Sequence, residues 1–205
     1  MTERIAALTA PDALAAEQPA GRSTGWWGMV MLITTEATFF AALLGSYFYL
    51  RFQHGGDWPP GGIEAPKLVK PLIMTAVLVP SSVPLLWAER GIRKGRRWRL
   101  RVGLVATLLM GLTFLILQGT EYDEKLHHFT FTTNVYGSLF YFITGFHGFH
   151  VLVGMLMTSW LLAASAQGSF GSRHHEQVSV AALYWHFVDI VWVAILFTIY
   201  LSPRL

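Results

Sequence analysis

Cysteine is absent from the 205 residues, which excludes disulfides, thiolate metal ligation, iron–sulfur clusters and cysteine nucleophiles. Charge is scarce too: Asp, Glu, Lys and Arg make up only 13% of the chain, about half the share usual in soluble domains. No internal repeat is evident, and the prolines of the second apolar segment have no counterpart in another, which lowers a reading as a small membrane transporter. Residues Met1–Thr24 contain no long apolar run, so a cleavable signal peptide is not expected there. A cytoplasmic tail over residues 1–25, disordered or lying as a short amphipathic helix on the membrane surface, fits that composition better.

What the chain has in quantity is apolar sequence: 53% of residues are hydrophobic and the mean hydropathy is +0.44. Five stretches are long enough to cross the ~30 Å hydrocarbon layer, which takes roughly 20 residues of helix. They cover about 26–50, 68–87, 100–122, 135–164 and 180–201. The expected fold is all-α, a polytopic membrane protein built as a bundle of five transmembrane helices over residues 26–205. Trp26 and Trp27 at one end of the first segment, and Tyr47 and Tyr49 at the other, suit the two interfacial aromatic belts. Pro80 and Pro84 should bend the second.

Basic charge is concentrated in ERGIRKGRRWRLR, where Arg90, Arg93, Lys94, Arg96, Arg97, Arg99 and Arg101 crowd between the second and third segments. Such density in a short connection marks the cytoplasmic side, with anionic headgroup binding as the secondary reading. It also explains the pI near 9.3 without invoking nucleic acid. Five crossings then place the N-terminus in the cytoplasm and the C-terminus outside. The loops Arg51–Lys67 and Asp123–Asn134 fall outside, with Asp57, Glu64, Asp123 and Glu124, while Ala166–Ser179 falls inside.

Polar residues within apolar segments are the candidates for function, because each needs a partner there. Glu36 lies mid-segment in TTEATFF. His147 and His150 lie three residues apart in YGSLFYFITGFHGFHVLVG, on one broad face with Phe140, Thr144 and Gly154. His186 and Asp189 repeat that spacing in YWHFVDIVW, bonded to each other or with the acid orienting the imidazole toward another helix. The economical expectation is one polar seam joining Glu36, His147, His150, His186 and Asp189, acting as structural glue rather than direct chemistry. Glu121, in LQGTEY, should make a further interhelical contact. Glu124 and His127 form an E-x-x-H spacing, but it falls in an external loop and has no twin, so a di-iron site is not expected. A bis-histidine haem between His147 and His186 is not forbidden by spacing, yet Phe142, Phe146 and Phe149 crowd the first histidines.

Taken in order, WWGMVMLITTEATFFAALLGSYFYLR, LQGTEY, VYGSLFYFITGFHGFHVLVG and YWHFVDIVW closely resemble subunit III of the haem–copper cytochrome c oxidases, over about Trp26–Leu201. The resemblance implies an accessory subunit of a proton-pumping oxidase that moves electrons from cytochrome c to O₂ in aerobic respiration. It implies no catalytic residue, cofactor or metal in this subunit, with haem and copper expected in partner subunits I and II. It implies packing against subunit I, bound phospholipid and support of sustained proton uptake, with a small subunit IV as a further candidate partner and no nucleic acid. Glu36 matches the family's carbodiimide-reactive membrane acid. Longer relatives carry seven helices, and this chain aligns from their third. Related subunits also occur in quinol oxidases and beside nitric oxide reductases, and the wording here is closer to the cytochrome c branch. The location implied is a bacterial-type plasma membrane.

Overall fold

The computed structural model describes residues 22–55, 58–60, 63, 66–167 and 175–204. The tail up to residue 21, Asp57, Glu64 and most of the connection between the last two helices fall outside the described residues. Five helices are long and apolar enough to span a membrane: α1 Thr24–Gln53, α2 Val69–Arg93, α3 Arg97–Leu126, α4 Val135–Ala166 and α5 His175–Arg204. The protein is integral to a membrane, and its described residues contain no strand.

The helices run a few residues past their apolar stretches, and side chains cap the starts of α1 and α4. Ser23 accepts a hydrogen bond from the backbone N–H of Trp26 at 3.2 Å and starts α1. Asn134 does the same for α4, accepting from Gly137 at 2.9 Å. The largest departure from the sequence reading is the basic connection, which is mostly helix rather than loop. Arg90 and Arg93 belong to α2, and Arg97, Arg99 and Arg101 belong to α3. Gly95, at φ 69°, ends α2 in the left-handed region that glycine adopts without a Cβ clash. The Arg96 N–H then reaches the carbonyl of Gly91, and the Gly95 N–H that of Ile92. This pair of bonds closes a Schellman turn and reverses the chain within Lys94–Arg96.

Pro80 disturbs α2 as expected: Val79–Ser81 tightens into a 3₁₀ turn between the two α-helical halves. α5 departs from regular geometry near its end, widening into a π turn over Leu196–Leu201 and tightening over Ser202–Arg204.

α2 packs on α3, α3 on α4 and α4 on α5, while α5 also meets α2 and α1; α1 touches only α4 and α5 in any extent. The difference in burial follows: 61% of the apolar stretch of α5 is buried inside the protein against 6% for α1. Small residues allow the close approaches, as packing between membrane helices requires. The Trp185 indole of α5 lies against Gly111 of α3 and Gly154 of α4, where added Cβ atoms would come within 3.0 and 2.7 Å of its ring. Its Nε1–H donates to Ser81 Oγ of α2 at 2.8 Å, so one side chain ties four helices together. Gly103 likewise presses α3 onto Ala88 and the Pro84 carbonyl of α2. The opposite end of the bundle closes on aromatic rings, with Tyr47, Trp58, Tyr136 and Phe140 buried and the Trp58 N–H donating to the Tyr47 hydroxyl at 2.9 Å.

Gly103→Ala gains helix propensity but forces a methyl against Ala88, whereas Gly119→Ala meets open space. The first should destabilise the bundle by about 1–3 kcal/mol and the second should not, as read by thermal unfolding in detergent. Equal stability of the two variants would overturn the close-packing account of the α2–α3 hairpin.

Candidate functional site

The intramembrane polar residues meet in two separate hydrogen-bonded groups and one isolated ring, rather than in the single seam expected from sequence. Residues three apart on a helix differ by about 60° in direction, enough to aim each at a different neighbour.

The first group joins α1 to α4. Glu36 Oε2 lies 3.2 Å from His150 Nε2, and His150 Nδ1 lies 2.8 Å from the carbonyl of Phe146. A carbonyl only accepts, so Nδ1 carries a hydrogen and Nε2 faces the carboxyl. Either the carboxyl donates to a bare Nε2, or a protonated Nε2 donates to a carboxylate. In both cases a single proton lies between the two groups and the pair is neutral as a whole, the inexpensive condition in hydrocarbon. His150 is almost wholly enclosed and Glu36 retains 30% side-chain exposure. Rings surround the imidazole: Phe146 at 4.6 Å and Phe40 at 5.2 Å edge-on, with Tyr184 stacked at 6.4 Å. The Tyr184 hydroxyl donates to the His150 carbonyl at 3.3 Å.

The second group joins α5 to α2 through a residue that the sequence reading did not single out. Ser82 donates its hydroxyl to Asp189 Oδ2, and its oxygen lies 3.0 Å from His186 Nδ1. One hydroxyl hydrogen cannot serve two acceptors, so His186 Nδ1 donates to the serine oxygen. His186 and Asp189 are therefore bridged across the helix interface, not bonded directly along their own helix. Asp189 Oδ1 is buried with no hydrogen-bond partner. The available signal was the Ser81–Ser82 pair beside Pro80, two hydroxyls in the middle of an otherwise apolar span.

His147 belongs to neither group. It is fully buried, both ring nitrogens lack a hydrogen-bond partner, and its neighbours are the rings of Trp192 at 5.3 Å and Phe114 at 5.7 Å. A charged imidazole has no counter-ion in that setting, so the ring is neutral and packs as an aromatic. The pairing of His147 with His186 across a haem does not fit this arrangement: one ring is enclosed by aromatics and the other is bonded to Ser82.

Glu121 is buried, and its ion partner among the described residues is Lys125 of its own helix at 3.4 Å. The polar link between α3 and α4 comes instead from Gln118, whose Nε2 donates to the Thr144 carbonyl at 2.7 Å, and from the Tyr122–Thr144 hydroxyl contact at 2.6 Å. Glu124 pairs with Lys70 of α2, and among the described residues no group of three or more His, Asp or Glu could hold a metal ion. On the basic end, Arg93 binds Glu89 at 2.7 Å and Ser179 at 3.1 Å, and Arg101 donates to the Ser165 carbonyl at 2.7 Å. Arg99 lies over the rings of Trp87 and Trp98.

Residues 16–203 match the family model described as cytochrome c oxidase subunit III. Curated proteins named cytochrome c oxidase subunit 3 from Pongo pygmaeus and Oryctolagus cuniculus are each 38% identical to it over 179 residues. The protein of the same name from Oncorhynchus mykiss is 40% identical over the same length. Each alignment covers 85% of this chain and 68% of the relative.

Ser82→Ala removes the hydroxyl shared by His186 and Asp189 and should cost roughly 1–3 kcal/mol of stability. Glu36→Gln and His150→Gln, combined in a double-mutant cycle, should show coupling of about 0.5–3 kcal/mol. Both are measurable by denaturation in mixed micelles; strict additivity in the cycle would mean that the Glu36–His150 contact carries no energy of its own.

Proposed function

Because this chain belongs to the cytochrome c oxidase subunit III family, whose members are accessory subunits of a multi-subunit oxidase, we propose that it stabilises subunit I of a haem–copper, proton-pumping complex and sustains its proton uptake. Electrons pass from cytochrome c to O₂ through haem and copper held by subunits I and II, and this subunit contributes no redox centre. The observation that carries this reading is how the intramembrane acids and bases are used. Asp189, His186 and Glu121 are engaged in contacts that fasten helices or helix turns, and His147 is packed among rings. Glu36 differs from them: it shares one proton with His150 while keeping part of its carboxyl surface open on the peripheral helix. A carboxyl so placed suits exchange of protons or contact with a neighbouring subunit, and an interior acid suits neither.

The basic end of the bundle lies in the cytoplasm of a bacterial-type membrane, with the N-terminus on that side and the C-terminus outside. Supporting this orientation, the starts of α1 and α5 meet through the Ser23 N–H and Glu176 at 3.2 Å, and the basic hairpin reaches Ser165 and Ser179 near the same level. Phospholipid is the expected companion of the bundle. A groove of about 670 Å³ between α1, α4 and α5 offers Met157, Trp160, Leu161 and Ala181 as apolar walls, with Glu176 and Gln177 also in its lining.

Glu36→Gln in the intact oxidase should leave initial turnover close to wild type while the enzyme inactivates several-fold faster during continuous turnover. Oxygen consumption followed to exhaustion, with subunit content checked by gel, reads both. Unchanged lifetime with unchanged subunit content would reduce Glu36 to a tolerated structural acid. Separately, the isolated chain should show no haem absorbance, and a stoichiometric haem would refute the accessory role.

A further inference from the structure

The hairpin between α2 and α3 holds more positive charge than the bundle itself uses. Arg93, Arg99 and Arg101 are occupied by Glu89 and Ser179, by two tryptophan rings and by Ser165. Arg90, Lys94, Arg96 and Arg97 are exposed and have no carboxylate partner among the described residues. The Schellman turn at Gly95 holds these four cations on a rigid corner rather than a loose loop. Directly beneath them, Trp87 and Trp98 meet edge to face at 5.3 Å between ring centres, the kind of ring that sits at headgroup depth. Below Trp98, α3 presents one continuous outward stripe of Val102, Val105 and Leu109 at steps of three and four residues, each more than 40% exposed.

We propose that this corner is a binding site for an anionic phospholipid, with its phosphate among these four cations and an acyl chain along the Val102–Leu109 stripe. Guanidinium groups match phosphate oxygens with paired N–H donors, and a strip of aliphatic side chains with no hydrogen-bonding group matches a hydrocarbon chain. The tryptophan pair marks the boundary between the two parts, as the glycerol region does in the lipid. The site is separate from the groove at Glu176, whose lining carries acid rather than surplus base, so it does not depend on that groove being filled.

The test uses the intact oxidase complex in nanodiscs of phosphatidylcholine containing a minor fraction of phosphatidylglycerol, with retained lipid counted by native mass spectrometry after extraction. Wild type should retain phosphatidylglycerol over phosphatidylcholine by roughly tenfold or more, since each basic residue at a membrane surface adds about a fivefold factor before losses to non-additivity. Raised salt should erode that preference. The variant R90Q/K94Q/R96Q/R97Q keeps three basic residues for orientation and should lose most of the preference. If it fails to assemble, R96Q/R97Q should show a partial loss. Trp87→Leu with Trp98→Leu should lower retention while leaving the salt dependence in place. Equal retention of the two lipids by wild type, a preference insensitive to salt, or one unchanged in the charge variants would overturn the proposal. So would cross-links from Lys94 showing the corner covered by an acidic face of another subunit.

Discussion

A polar group inside the hydrocarbon layer has no water to bond, and the contacts between these helices follow from that constraint. The Trp185 indole shows how it is met. Its bulk fills the space left by Gly111 and Gly154, and its one N–H is satisfied by Ser81. Neither part works alone, since a ring of that size needs glycines to admit it and its N–H needs a hydroxyl at the same depth. Trp192 repeats the solution one helical level away, donating to Thr75 at 2.9 Å while packing on Phe114 and His147. α2 thus serves α5 mainly through hydroxyls, and the tightened turn at Pro80 sits beside Ser81 and Ser82, which carry them.

The acids of the membrane interior divide by position. Asp189 sits at the centre, fastened by Ser82 and cut off from the surface, so its work is to hold α5 against α2. Glu36 sits on α1, the least buried of the five spans, and among the described residues its side chain bonds to His150. With the Nδ1 hydrogen committed to the Phe146 carbonyl, His150 offers Glu36 a partner in either protonation arrangement. That freedom is absent from the Ser82 group, where a single hydroxyl orders the hydrogens of both neighbours. The same physical need to satisfy buried polar groups yields a trio ordered by one hydroxyl at one site and an acid–imidazole pair at another.

The segment Tyr136–Gly154 shows how far local reasoning reaches. Its apolar length, the broad shared face of Phe140, Thr144, His147 and Gly154, and the need of its histidines for special surroundings are all legible from spacing, and each of those four residues is buried. What spacing did not reveal is that His147 has aromatic rings for neighbours and no hydrogen bond, while His150, three residues on, has two. Ser82, Gln118 and Gly95 escaped notice because a serine or glutamine in a helix, or a glycine just past one, looks ordinary until its neighbour is known. Glu121 is the opposite case: its charge called for a partner, and among the described residues an ordinary i,i+4 lysine on the same helix supplies its ion pair.

By itself the sequence determined the five membrane helices, their alternating course, the basic end and the set of interior residues that had to be partnered, together with the family to which the chain belongs. These follow from hydrophobic length, charge placement and local periodicity, all of which act along the chain. Only the tertiary structure decided the partners: Glu36 with His150, Ser82 between His186 and Asp189, Trp185 between two glycines, and, among the described residues, four cations at the α2–α3 corner without a carboxylate. Partner choice depends on the rotation and depth of each helix against the others. Those are set by the summed packing of all five, and no single stretch of sequence contains that sum.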